Sequence, residues 1–222
     1  MSKQLTIYAS PIPATYLAGP AIAKFIELYP EHSVQLITND HLAFFESSKR
    51  TQFDVGIFDI SSYDNSNHLD TEVLLKSSAK MCCRKGHPLL NKSEVLAKDI
   101  LEYPIATPAV LPDYVVHELN RILGLPIEDG HCKVNLIYDS LVTVRHSLIQ
   151  SDTVAIAPSL ALTQSLSSEL VAIDIEDWPL IEAEFGVVTR RNNARPGHVE
   201  AFIEMLFDIC AELSFCVSLS NR

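Results

Sequence analysis

Residues 5–30 read LTIYASPIPATYLAGPAIAKFIELYP. The run 5–9 has the Thr, Ile and Tyr of a strand. Ser10-Pro11-Ile12-Pro13 stops it, because a proline pushes the residue before it out of the helical region. Leu17, Ala21, Ile22, Phe25, Ile26 and Tyr29 then recur at helical spacing, with Lys24, Glu27 and Glu31 on other faces. A strand thus delivers a Ser/Thr-bearing turn to the mouth of an amphipathic helix. In an open α/β sheet small ligands bind at such places, at strand C-termini against helix N-termini. An α/β domain has several such turns, and many are only connections.

Working outward, SVQLIT at 33–38 is a strand, Asn39-Asp40 offers an N-cap for a helix over 41–52, and DVGIF at 54–58 is a buried strand. This β-α-β-α-β alternation implies a parallel sheet covered by helices. Residues 60–70 are polar and turn-rich, 71–75 and 79–84 strand-like, and 93–101 a short helical patch. From Tyr103 the alternation restarts. A strand over 104–107 leads to Pro112 in a first helical turn, with Val115, Leu119 and Ile122 on the helix face and Gly124 as its stop. KVNLI at 133–137 is a strand, Asp139 or Ser140 caps a helix over 141–150, and TVAIA at 153–157 is a strand. SVQLI and KVNLI, and then DVGIF and TVAIA, recur at nearly the same offset, which suggests two similar α/β lobes. A short helix over 159–166 and strands over 170–175 and 183–190 precede a final helix opened by Pro196 and Gly197. Crossings between lobes are expected near 76–78 and 176–181, with a ligand cleft between the lobes as the usual consequence.

The composition narrows the function classes. At 222 residues and 47% hydrophobic, the chain can bury a sizeable core. A net charge of −11 repels a phosphate backbone, so these residues are not expected to grip DNA or RNA themselves. The absence of a long apolar run argues against membrane insertion, and the early Thr, Tyr, Ser and Pro argue against a signal peptide. A cytoplasmic protein is expected. The cysteines, Cys82, Cys83, Cys132, Cys210 and Cys216, are odd in number without a C-x-x-C pair, as in a reducing compartment. The glycines form no dinucleotide fingerprint or phosphate loop, there is no G-x-S-x-G or H-E-x-x-H, and His131-Cys132 is an isolated pair. No catalytic residues, metal ligands or cofactor are expected, and the balance moves from enzyme towards binding domain.

Taken together, these segments resemble the effector-binding domain of LysR-type transcriptional regulators. The carriers are residues 5–30, FDVGIFD, LLKSSAKMCCRKGHPLL, LEYPIATPA and DSLVTVRHSLIQSDTVAIAPSLAL. The resemblance implies a type 2 periplasmic-binding-protein-like fold, α/β, with two Rossmann-like lobes joined by two crossover strands. Lobe I would be residues 1–76 with 180–222, and lobe II residues 77–179. It implies a small-molecule inducer between the lobes, of the carboxylate or aromatic-acid class, and a homodimer, tetrameric in the full-length protein. It also implies contact with DNA only through an N-terminal winged helix-turn-helix that would precede this sequence.

Carried over by position, the first-lobe wall is Ser10, Ile12, Pro13, Thr15, Asp40 and His41. The second-lobe wall is Thr107, Pro108, Ala109, Val110, Ser140 and Leu141. Hydroxyls beside helix N-termini suit a carboxylate. The chain departs from the family where Asn39-Asp40-His41 replaces a common Gly-Ser-type turn, where Arg50-Thr51 replaces Arg-Gly, and at bulky Phe58. Plainer readings stand beside these: Ser10 and Thr15 as helix caps, His41 as an exposed first-turn residue, Arg145 in a surface salt bridge, Pro108 as a turn former. A free-standing solute-binding protein of the same fold, and an enzyme on this architecture, are the competing functions.

Overall fold

The structure, a computed structural model, describes residues 4–61, 63, 68–128, 130–162, 169–191 and 194–220, with side chains to residue 213. In chain order the elements are β1 (Gln4–Ala9), α1 (Pro11–Pro13), a π turn (Ala14–Ala18), α2 (Gly19–Leu28), β2 (Ser33–Thr38), α3 (His41–Ser47), β3 (Val55–Asp59) and β4 (Leu69–Arg84). There follow α4 (Ala97–Ile100), β5 (Ile105–Pro108), α5 (Asp113–Leu123), β6 (Ile127–Glu128), β7 (His131–Cys132) and β8 (Leu136–Tyr138). The chain ends with α6 (Leu141–Ile149), β9 (Val154–Pro158), β10 (Leu170–Ala172), β11 (Glu182–Arg190) and α7 (Gly197–Ser220).

The chain divides into two compact units, Met1–Lys76 with Ala183–Arg222, and Ser77–Glu182. The changes of unit fall within β4 and within β11. In unit 1, β2, β1 and β3 are parallel neighbours and β11 joins β3 antiparallel. One set of helices packs through Phe25 of α2 edge-on to Phe202 of α7, ring centroids 5.8 Å apart. A second apolar cluster joins Phe44 of α3 to Phe53, Phe58, Leu69 and Val188, with Phe44 and Phe58 stacked at 4.4 Å. Gly56 makes this stack possible. A Cβ there would sit 3.1–3.2 Å from Phe58, Phe44 and Val188, tighter than ordinary contact.

In unit 2, β5 lies parallel between β8 and β9, and β4 pairs antiparallel with β9 and β10. Val115, Val116, Leu119 and Leu123 bury the inner face of α5. Gly124 ends that helix with φ 62°, a left-handed value that favours glycine. The R-K-G-H-P-L segment is a structural turn. Arg84 pairs with Asp152 at 2.7 Å, Gly86 has φ 73°, and fully buried His87 accepts the Leu89 N–H and reaches the Asp152 carbonyl.

Several expectations are corrected by the coordinates. The helix foreseen over 41–52 stops at Ser47, and in its last turn the Ser47 hydroxyl bonds back to the Ala43 carbonyl and the Ser48 hydroxyl to the Phe45 carbonyl. The two strands expected between 71 and 84 are one continuous β4. Pro112 is the N-cap of α5, and the strand over 133–137 begins only at Leu136. The hairpin of β6 and β7, too short to show periodicity, was not foreseen. Ile26 does not share the buried face of Leu17, Ala21 and Phe25; it is 51% exposed. Residues 62 and 64–67 of the 60–70 loop, and 163–166 of the short helix, lie outside the described residues.

Candidate functional site

The three parallel strands of unit 1 bring their C-termini to one edge. The register Ala9↔Thr38 and Ala9↔Ile57 places Ser10, Asn39-Asp40 and Asp59 side by side. Ser10 is extended (φ −72°, ψ 160°); its N–H donates to Ile57 O, its carbonyl accepts from Ala14 N–H, and its hydroxyl makes no capping bond. Pro11 and Pro13 have no N–H, so Ile12 is the one residue of α1 with a donor to offer. The π turn that follows has a cause in Pro20. A proline in an α-helix interior removes one bond and clashes with the carbonyl four residues back; the wider turn closes through Gly19 N–H to Ala14 O instead. Thr15 spends its hydroxyl on its own helix, donating to Pro11 O at 2.9 Å.

Asp40 caps α3, its Oδ1 accepting from Ala43 N–H at 2.8 Å, while Asn39 Oδ1 accepts the Asp40 N–H. Asp59 Oδ1 accepts from both the N–H and the hydroxyl of Ser61. Burial lowers the pKa of His41, against the opposing pull of Asp59 and then Asp40. A half-buried imidazole, neutral at neutral pH, therefore feels two carboxylates nearby. Phe45, one turn on from His41 on the same face of α3, stacks on Tyr63 at 4.2 Å.

In unit 2, the parallel strands β5, β8 and β9 form the corresponding edge. Thr107 is 3% exposed, while Pro108, Ala109 and Val110 are half-buried, and Ala109 N–H donates to Tyr138 O. Ser140 is an extended N-cap for α6 whose hydroxyl makes no capping bond; its carbonyl takes the Thr143 hydroxyl at 2.7 Å. Leu141 is buried beneath it. Arg145, one turn further, is ion-paired with Glu169. The coordinates thus group Ser10, Ile12, Asp40 and His41 at one strand edge, with Pro13 buried below, and Thr107, Pro108, Ala109, Val110 and Ser140 at another.

This chain matches the family described as LysR substrate binding domain over residues 1–211. It belongs to that family. It is 22% identical over 212 residues to the SDS degradation transcriptional activation protein of a Pseudomonas species, covering 93% of this chain and 67% of that one. It is 24% identical over 212 residues to YbhD, an HTH-type transcriptional regulator of Escherichia coli, covering 92% of this chain and 63% of that one. The chain therefore spans about two thirds of the length of these curated relatives. The regulatory domain of CcmR from Synechocystis, in complex with 2-PG, superposes with a TM-score of 0.72 at 16% identity, covering 94% of this chain and 98% of that one. The fold is the type 2 periplasmic-binding-protein-like fold of LysR effector-binding domains.

In this LysR domain the site-edge residues that sequence reasoning missed follow the same rule that found the others. Asp59 ends β3, and Ser159 follows β9. Ser159 shares a 3.1 Å hydroxyl contact with Ser77, which also accepts the Leu160 N–H. A small pocket of about 30 Å³ lies elsewhere in unit 1, lined by Phe53, Asp54, Thr189, Arg190, Arg195 and neighbours. Its arginines are engaged: Arg190 with the Ser48 and Thr51 carbonyls and the Phe53 ring, Arg195 with Glu72, Glu200 and Thr189. Cys82, Cys83, Cys132 and Cys210 carry buried thiols, and burial pushes their pKa up, to about 12 for Cys82 and Cys210 and about 11 for Cys83. Such thiols are poor nucleophiles; the Cys216 side chain lies outside the described residues. Among the described residues, no group of three or more His, Cys, Asp or Glu side chains could hold a metal ion, and no helix is long and apolar enough to cross a membrane.

Proposed function

We propose that this domain binds a small-molecule effector at the strand–turn–helix edges of both units, and that the bound effector sets the DNA binding of a LysR-type regulator acting in the cytoplasm. The observation that carries the reading is the family match over nearly the whole chain, joined to hydroxyls at Ser10 and Ser140 that no capping bond uses. Ser10, Ile12, Asp40 and His41 would serve as the unit 1 contacts, and Thr107, Pro108, Ala109, Val110 and Ser140 as those of unit 2. The two units would act as the regulatory lobes, and a winged helix-turn-helix elsewhere in the protein would carry the DNA contact. A carboxylate or aromatic acid, the class the sequence suggests, would draw on the Ser10 and Ser140 hydroxyls and on backbone N–H groups at these edges. A non-catalytic role agrees with the curated relatives, which are transcriptional regulators. The protein would act as a homodimer, with α2 of one copy against α6 of the other, since Ile26, Leu28 and Val142 are more than half exposed.

A thermal-shift screen over small acids, amines, amino acids and sugars tests the reading. An effector at a hundredfold over its Kd adds about 2.7 kcal/mol. Ser10→Ala and Ser140→Ala should each reduce that shift without lowering the Tm of the free domain. Hits whose shifts both variants leave intact would refute the assignment.

A further inference from the structure

The unit 1 edge is built to accept hydrogen bonds. No Lys or Arg occurs in 4–23, 33–48 or 53–75, the stretches that make its strands, turns and helix mouths. Of the cations that adjoin these stretches, Lys24 is ion-paired with Glu212 and Lys76 with Glu184 at 2.8 Å, while Lys49 and Arg50 follow α3 at the end away from its mouth. The helix ends do not compensate. Two of the three residues of α1 are prolines without an N–H, and the mouth of α3 already holds a carboxylate, that of Asp40. An anion arriving there would meet Asp40 and Asp59 with no cation, and with only the Ser10 hydroxyl, the Ile12 N–H and one ring N–H of His41 as donors.

A donor would meet the opposite. Asp40 and Asp59 each commit Oδ1 to backbone or to Ser61 and keep Oδ2 as an acceptor. His41 carries no charge to repel a cation. Beside it stand the rings of Phe45 and Tyr63, stacked with planes 21° apart, with Tyr63 held to the strand end by its N–H bond to Ile60 O. Carboxylates beside aromatic faces are the chemistry that recognises ammonium groups.

We propose that the effector carries a protonated amine, which the unit 1 edge takes between the carboxylates of Asp40 and Asp59 and the Phe45–Tyr63 pair. This rests on the reading that the strand-end turns bind the effector. It departs from the carboxylate class that hydroxyl-rich turns suggest.

The test is a matched thermal-shift and calorimetric panel at pH 7.5: benzylamine against benzoate, putrescine against succinate, and myo-inositol as an uncharged donor. The same panel is run on Asp40→Asn and Asp59→Asn. Both variants keep the Oδ1 acceptor that serves the fold, since Asn caps helices as Asp does, and remove only the charge. The expected result is stabilisation by amines, weakened about ten- to a hundredfold in Kd by either substitution. Stabilisation by the acids or by inositol without the amines overturns the amine proposal and leaves the binding edge standing. Amine binding indifferent to both substitutions places the amine elsewhere and overturns it too. A folded domain that no member of the panel stabilises counts against the binding edge itself, and against the proposal with it.

Discussion

Gly186→Ala tests how tightly unit 1 is closed behind its binding edge. Gly186 is buried in β11, paired with Phe58 across the strand boundary. Its backbone is not in the left-handed region, so strain in φ is not the issue. Space is: a Cβ would sit 2.8 Å from the Glu72 carbonyl oxygen and against the Ile60 side chain. Ile60 can turn away, but the Glu72 oxygen belongs to β4 and moves only with its strand. Overpacking of this kind costs roughly 1–3 kcal/mol, and the gain from stiffening the unfolded chain returns about 0.4–1 kcal/mol. The net loss is therefore about 1–2 kcal/mol, or a Tm lowered by roughly 2–8 °C for a chain of this size. Ile60 follows Asp59, so the displaced side chain also disturbs the effector edge, and ligand shifts should shrink with the Tm. Gly197→Ala is the control. It meets nothing within 4 Å at the exposed first position of α7, and should raise the Tm by a degree or more. Urea and thermal unfolding of the three proteins side by side give the answer. A Gly186→Ala protein as stable as the parent, or a Gly197→Ala protein that loses as much, would refute the reasoning from backbone proximity.

The pH dependence of stability carries the signature of His41, whose folded pKa burial lowers below 6.5, with His68 shifted the same way by burial, Lys49 and Arg190. The unfolded chain then takes up a proton first on acidification, so stability falls as pH drops below about 6.5 and levels off under the folded pKa. His41→Asn should flatten part of this fall in urea midpoints taken between pH 5 and 8; an unchanged profile would show that His41 titrates as it does in water. Ile26→Asp places a charge on the exposed side of α2, and light scattering should show the dimer weakened while the monomer fold holds; an unaltered mass would exclude α2 from the interface. Phe25 is unsuited to that test, being fully buried against Phe202.

Much of the architecture was legible because burial writes a period into the chain. The alternation of strand and helix periods from Leu5 to Ile57, and again from Ile105 to Ala157, follows from parallel strands covered on both faces. That alternation does not depend on the identity of any single residue. The breaks that periodicity cannot register are local bonds. The end of α3 carries hydroxyl back-bonds from Ser47 and Ser48, and the two-residue strands of the β6–β7 hairpin are too short to repeat. Pro20 is compatible with a helix by spacing, and only the carbonyl it would strike, four residues back, explains why the helix opens into a π turn.

For the candidate site, the sequence speaks to place and not to chemistry. Residues after strand C-termini lie together at the strand edges, and the same rule, applied once more, adds Asp59 and Ser159. What the sequence could not show is which polar atoms are already spent. Thr15 reads as a ligand hydroxyl and is bonded to Pro11; Asp40 reads as a lone carboxylate and fills the helix mouth where an anion would have gone. Counting hydroxyls near helix starts favours a carboxylate ligand. Counting the donors left after the protein's own bonds are made favours a ligand that brings its own. The second count is the physically relevant one, because a group already hydrogen-bonded has less to gain from a ligand than one still waiting for a partner.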